Sequence, residues 1–136
     1  MAGASEIVVT LPGGRRVDAQ VGAHVVHTDQ PRSNGGEDAA PTPFQLFLAS
    51  LGTCAGIFVQ GFCASRGLSP EGIRIVEQPE LDRETGVLRA VALRIEVPAS
   101  FPEKYRDALV RVAEQCSVKR AIQAQPTFSV ETVVAP

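Results

Sequence analysis

The sequence has no basic stripe. Its 13 Lys and Arg against 15 Asp and Glu leave a net charge of −2, so nothing is present to neutralise a phosphate backbone and a nucleic-acid partner is not expected. Cysteine is scarce: three in all, an odd and irregularly spaced number that cannot build the disulfide framework of a small secreted domain. The opening residues, MAGASEIVVT, lack the basic start and apolar stretch of a signal peptide. A reducing cytoplasm is the expected compartment, where paired cysteines are more often catalytic or redox-sensing than structural. No internal repeat or low-complexity tail stands out. His24 and His27, three apart in a strand pattern, point to opposite faces. With cysteines at 54, 63 and 116 they form no zinc spacing. The glycine pairs at 13–14 and 35–36 lack the spacing of a dinucleotide or phosphate loop. Neither a metal nor another cofactor is expected.

What remains is a chain of 136 residues, the size of one domain spanning 1–136. Ile7, Val9 and Leu11 alternate as in a strand, PGG at 12–14 is turn chemistry, and RRVDAQ and AHVVHT supply two more short strands, so a β-meander is expected. Residues 29–43, rich in Gly, Pro, Asn and Asp, read as a long loop. Segments 72–78 and 87–97 read as the strands of a hairpin, with Val87, Val91, Leu93, Ile95 and Val97 on one buried face. Asp82, Arg83 and Glu84 form its solvated tip. Residues 100–116 read as one amphipathic helix with Tyr105, Leu109, Val112 and Cys116 on its inner stripe, and 127–134 as a closing strand. The fold class is α+β.

The strongest signal lies between. No charged side chain stands between Asp38 and Arg66, and Cys54 sits in the middle of that run. Thr42, Pro43 and Gln45 make a capping box and a helix start, and Gly67 a stop, so a helix of 43–65 is expected. A membrane span is the weaker reading, because Gln45, Ser50, Thr53, Gln60 and Ser65 dilute the run. A helix buried on all sides of a globular core is the better one. Gly52, Gly56 and Gly61 would each cost such a helix about 1 kcal/mol relative to alanine. Close approach of another backbone is the usual compensation. Ala49, Gly52, Thr53 and Gly56 fall at i, i+3, i+4 and i+7, a narrow face suited to a second helix, for instance the same helix of another subunit. Cys54 and Cys63 cannot pair: nine residues leave them on opposite faces and roughly 13 Å apart along the axis. Cys63 reads as a small core residue. If Cys54 has a partner it is Cys116, which only the tertiary fold can bring to it.

The segment GGEDAAPTPFQLFLASLGTC, with AEQCSVKR some sixty residues later, resembles the OsmC/Ohr family, named for osmotically inducible protein C and organic hydroperoxide resistance protein. The resemblance follows the element order of essentially the whole chain. Its specific parts are the Gly-Gly loop, the helix start through Pro43, Leu46, Ala49 and Cys54, and the second cysteine closing the later helix. It implies two subunits intertwined around central helices as a homodimer, with sites at the interface. It also implies thiol-dependent reduction of organic hydroperoxides, with Cys54 attacking and Cys116 resolving, no cofactor, and an external dithiol of lipoyl or thioredoxin type as reductant. Members of the Ohr branch hold the thiolate with an arginine in a Gly-Gly-Arg context, which places Arg15 there, with Arg16 the alternative. An acidic residue often follows the motif proline; Phe44 and Gln45 occupy those places.

Chemistry makes similar demands. An unperturbed thiol has a pKa of about 8.5, and the thiolate is the nucleophile. Cys54 sits about three turns into its helix, where the dipole has faded, so a cation from elsewhere is expected to be needed. Phe44, Gln45, Phe47 and Leu51 are the candidate substrate-binding residues, their apolar character favouring an organic peroxide. The competing reading is a non-catalytic small-molecule-binding or interaction protein on the same dimeric fold.

Overall fold

A computed structural model describes residues 6–136. The chain forms two compact units, Met1–Ala49 and Ser50–Pro136, and the architecture is α+β throughout.

The first unit contains the expected meander. Strands β1 (Ile7–Gly13), β2 (Arg16–Val21) and β3 (His24–Thr28) pair antiparallel in the order β1-β2-β3. The two turns are set by glycines, and Arg15 lies in the first of them. The apolar side of β1 does not turn inward: Ile7, Val9 and Leu11 are 57%, 56% and 80% exposed. A three-stranded sheet needs a covering layer to bury a face, and no element of this unit supplies one for that side.

After β3 the chain enters the glycine-rich loop, and one buried acid orders it. Asp29 is 1% exposed. Its carboxylate accepts the backbone N–H groups of Gln30 (2.7 Å), Glu37 (3.2 Å) and Ala39 (3.1 Å), and its own N–H donates to the Pro41 carbonyl. The Gln30 and Ala39 amides, with smaller help from Glu37 and the charge of Arg16, hold the carboxyl below the usual carboxylate range against the effect of burial. Gly36 is required here because a Cβ would collide with the Gln30 carbonyl.

Helix α1 (Pro43–Ser65) begins and ends where its capping signals place it. The Thr42 N–H donates to Gln45 Oε1 (3.0 Å) and the Gln45 N–H to Thr42 Oγ1 (3.2 Å), a reciprocal capping box. At the other end Gly67, with φ of 66°, lets Leu68 N–H reach the Cys63 carbonyl (2.8 Å) and Gly67 N–H the Ala64 carbonyl (3.3 Å). These are the two bonds of a Schellman motif. The helix is long and apolar enough to cross a membrane by length and composition alone. Its burial follows a stripe: Leu51, Ala55, Val59 and Cys63 are buried, whereas Ile57 is 66% exposed. The expectation of burial on all sides is therefore corrected to burial of one face.

In the second unit β4 (Arg74–Leu81) and β5 (Leu88–Glu96) form the expected antiparallel hairpin. Asp82 closes its tip, accepting the N–H groups of Glu84 and Thr85 on one oxygen and the Arg89 guanidinium on the other. Paired positions share a face, so Ile75, Glu77 and Pro79 lie beside Ile95, Leu93 and Val91. This face meets α1. A Cβ on Gly56 would lie 3.8 Å from Ile75 Cδ1, and one on Gly52 only 2.7 Å from Glu77 Oε1. At Gly52 and Gly56 a strand of the same chain thus makes a close approach of the kind inferred from the glycines. Val59, Cys63, Phe101 and Leu109 form the core centre, with Ile73, Ile75, Ile95 and Val97 packed against it. Phe62 meets the Tyr105 ring edge-on at 5.7 Å.

The expected helix of 100–116 is divided. A 3₁₀ turn (Glu103–Tyr105) leads into α2 (Arg106–Ala113), which stops short of Cys116, and α3 (Ser117–Gln123) starts a new helix. Tyr105, Leu109, Val112 and Cys116 are nonetheless all half-buried or buried. The closing strand is not formed. Residues 127–134 pair with no strand among the described residues, and Phe128 and Val130 are 89% and 98% exposed. An alternating segment becomes a strand only when a sheet edge accepts its backbone groups, and none among the described residues does so.

Candidate active site

The break between α2 and α3 brings the two distant cysteines together. After α2 the Gln115 N–H turns back to the Val112 carbonyl, and Cys116 takes an extended conformation (φ −49°, ψ 122°) as the N-cap of α3. Its Sγ accepts the Lys119 backbone N–H at 3.4 Å, the service a serine oxygen ordinarily performs at this position. The next residue, Ser117, places its Oγ 3.6 Å from Cys54 Sγ. Cys54 is half-buried and Cys116 buried, and all three cysteines are free thiols.

Donors converge on Cys54. The Val118 backbone N–H contributes most, then the Ser117 hydroxyl, the Cys116 side chain and the Ser117 N–H. Together they outweigh burial and lower its pKa to about 7, below that of an ordinary cysteine and in the direction that favours the nucleophilic thiolate. Hydrogen bonds from the start of α3 thus act on this thiol in the direction for which a cation was expected. Cys63 is the contrast. It is fully buried, burial alone pushes its thiol up, and it belongs to the core cluster.

The other candidates lie as follows. Arg15 is in the β1–β2 turn, its aliphatic stem beside Gly35, where a Cβ would lie 3.9 Å from Arg15 Cγ. Arg16, at the start of β2, adds its charge to the field at Asp29. Phe44 is 45% exposed and its ring lies 5.8 Å from that of Phe47. Gln45 is engaged in the helix cap, and Leu51 is buried. Ser117 and Val118 are the residues that the sequence alone did not point to. The legible signal was the stretch Glu-Gln-Cys-Ser, where a thiol followed by a serine can cap a new helix as readily as end an old one. Among the described residues no group of three or more His, Cys, Asp or Glu could hold a metal.

The OsmC family model, described as OsmC-like protein, matches residues 35–131. That span includes the glycine-rich loop, α1, the hairpin and both cysteines. No curated protein matches the sequence. Among solved structures, the chain is similar to a Psychrobacter arcticus protein assigned to the osmotic stress and detoxification response, with 20% identity, 89% of this chain and 90% of that one covered, and a TM-score of 0.74. It is similar to an organic hydroperoxide resistance protein OsmC of Legionella pneumophila at 26% identity over 90% and 92% of the two chains, TM-score 0.60. An OsmC-like protein of Mycoplasma pneumoniae shares 14% identity over 92% and 91%, TM-score 0.72.

Proposed function

The chain belongs to the OsmC-like protein family, and from that premise we propose that it is a two-cysteine thiol peroxidase acting on organic hydroperoxides in oxidative-stress defence. The observation that carries the reading is the convergence of α3 on Cys54: Ser117 Oγ lies 3.6 Å from its sulfur, and this thiol, its pKa lowered by hydrogen bonds from that helix start, stands one residue's reach from a second thiol. The Cys54 thiolate attacks the distal peroxide oxygen. An S–O bond forms, the O–O bond breaks, and the departing alkoxide takes a proton and leaves as alcohol. Cys54 is then a sulfenic acid. The Cys116 thiolate attacks that sulfur, the S–S bond forms, and hydroxide leaves as water after protonation. An external dithiol returns both cysteines to thiols.

Arg15, or Arg16 in its place, is proposed as a second support of the thiolate. The exposed aromatic surface of Phe44 with Phe47 favours an organic substrate, as the name of the Legionella relative also does. The uncovered faces of β1 and the exposed Phe128, Val130 and Val134 call for a covering surface, which a second copy of the chain would provide as a homodimer. The cytoplasm suits three free thiols.

Peptide mapping of hydroperoxide-treated protein tests the chemistry. A Cys54–Cys116 disulfide is expected, with Cys63 still reduced and one hydroperoxide consumed per disulfide formed. Cys54→Ser should abolish consumption, and Cys116→Ser should let Cys54 proceed to sulfinic acid. An unreacted Cys54 would reject the peroxidase reading in favour of a binding protein on this fold.

A further inference from the structure

Ser117 is exposed at the first position of α3, where a serine is ordinarily a solvated side chain of the helix's first turn. Here its hydroxyl is turned onto a sulfur. The 3.6 Å between Ser117 Oγ and Cys54 Sγ is a hydrogen-bonding separation for an atom of sulfur's radius, and it joins residues 63 positions apart. Cys116, one residue earlier, has its own Sγ fixed by the Lys119 N–H at 3.4 Å. One peptide bond therefore carries the second sulfur on one side and, on the other, a hydroxyl in contact with the first.

Resting on the thiol peroxidase reading, we propose that Ser117 is a further catalytic residue. Its hydroxyl donates to the Cys54 thiolate and holds that sulfur in register with Cys116. A hydroxyl has one proton and two lone pairs. While Cys54 is a thiol, its S–H can point to Ser117 Oγ; once the thiolate forms, the hydroxyl turns and donates instead. The contact persists in both states but is charge-assisted only in the second, and charge-assisted bonds are about twice as strong. The difference favours the thiolate, in the direction in which the Cys54 pKa is moved. The Val118 and Ser117 amides act on the same sulfur from the backbone, so removing the hydroxyl weakens the support without abolishing it. Because Ser117 adjoins Cys116, the same contact keeps the oxidised Cys54 near the thiol that must displace water from it.

The test follows iodoacetamide labelling of Cys54 against pH by mass spectrometry in Ser117→Ala, Ser117→Thr and Arg15→Ala. Loss of the hydroxyl is expected to raise the labelling midpoint by about one pH unit, which cuts labelling at pH 7 about fivefold, and threonine should restore it. A merely structural serine would leave this profile in place. After one equivalent of hydroperoxide, Ser117→Ala should also divert more Cys54 to sulfinic acid and less to disulfide. A Ser117→Ala profile superimposable on the wild type overturns the proposal, as does a shift seen only in Arg15→Ala. Labelling needs no peroxide, so the two readings fail separately. A wild type that consumes no hydroperoxide yet shows the serine-dependent midpoint loses the peroxidase assignment and keeps Ser117 as the thiolate's donor.

Discussion

Gly52, Gly56 and Gly61 share one helix, yet alanine should have three different effects on stability. In a helix interior glycine is about 1 kcal/mol less favourable than alanine. At Gly61 a Cβ would meet nothing within 4 Å, so Gly61→Ala should gain that whole amount. At Gly56 the new methyl would rest 3.8 Å from Ile75 Cδ1, an ordinary contact adding about 0.1–0.2 kcal/mol per atom pair; Gly56→Ala should gain about as much or slightly more. At Gly52 the Cβ would stand 2.7 Å from Glu77 Oε1, closer than real Cβ atoms approach. The carboxylate must swing aside, and an off-rotamer side chain costs about 0.5–1.5 kcal/mol. Gly52→Ala should therefore fall within about 0.5 kcal/mol of neutral, about 0.5–1.5 kcal/mol below Gly61→Ala. Urea denaturation at one fixed protein concentration reads the series, with equal m-values certifying that only stability has changed. The double mutant closes the cycle: in Glu77→Ala, Gly52→Ala should recover its gain of about 1 kcal/mol. If Gly52→Ala matches Gly61→Ala in the wild-type background, the strand does not occupy the groove and the account of these glycines fails.

Two other predictions concern the same apolar surfaces. Glu77 lies on the helix-facing side of the hairpin beside Ile75, Pro79, Leu93, Val91 and Ile95, with Gly52 across from it. Its Oε2 is buried without a hydrogen-bond partner, and burial raises its pKa from 4.5 against a smaller opposing effect of the Gly52 N–H. A carboxyl raised on folding binds protons more readily in the native chain, so its deficit is absent below 4.5 and grows as pH rises through the folded value. Glu77→Gln should match the wild type in urea at pH 4 and exceed it increasingly above that; a difference independent of pH would contradict this. As for assembly, sedimentation at micromolar concentration should give a dimer, and a well-folded monomer would remove the second copy as the cover for β1.

The fold was legible wherever a short-range rule acts without competition. Thr42, Pro43, Gln45 and Gly67 fix the ends of α1 because caps are satisfied within four residues. The alternation of β5 selects its face because paired residues point the same way. The sequence misled where a partner had to be supplied from afar. TFSVETVV has a strand's alternation but joins no sheet edge among the described residues, and the small face of α1 suited a helix as well as it suits β4. Composition says that something comes close to Gly52 and Gly56; only the register that sets Ile75 and Glu77 on one side of the hairpin says what.

The site shows the same limit at a smaller scale. Cys54 and Cys116 stood out by type and surroundings, and the stripe through Leu109 and Val112 rightly turned Cys116 inward. The single helix drawn through that stripe hid the device that matters. Had α2 continued through Cys116, Ser117 and Val118 would have spent their amide groups on carbonyls four residues back. By stopping at Ala113 and restarting at Ser117, the chain leaves those amides without helical partners and aims them, with one hydroxyl, at a sulfur on another helix. A thiol far from its own helix's N-terminus is thus served by the first turn of a different one. The position of a helix break, which propensity places only to within a few residues, decides whether Cys54 meets the hydrogen-bond donors that lower its pKa.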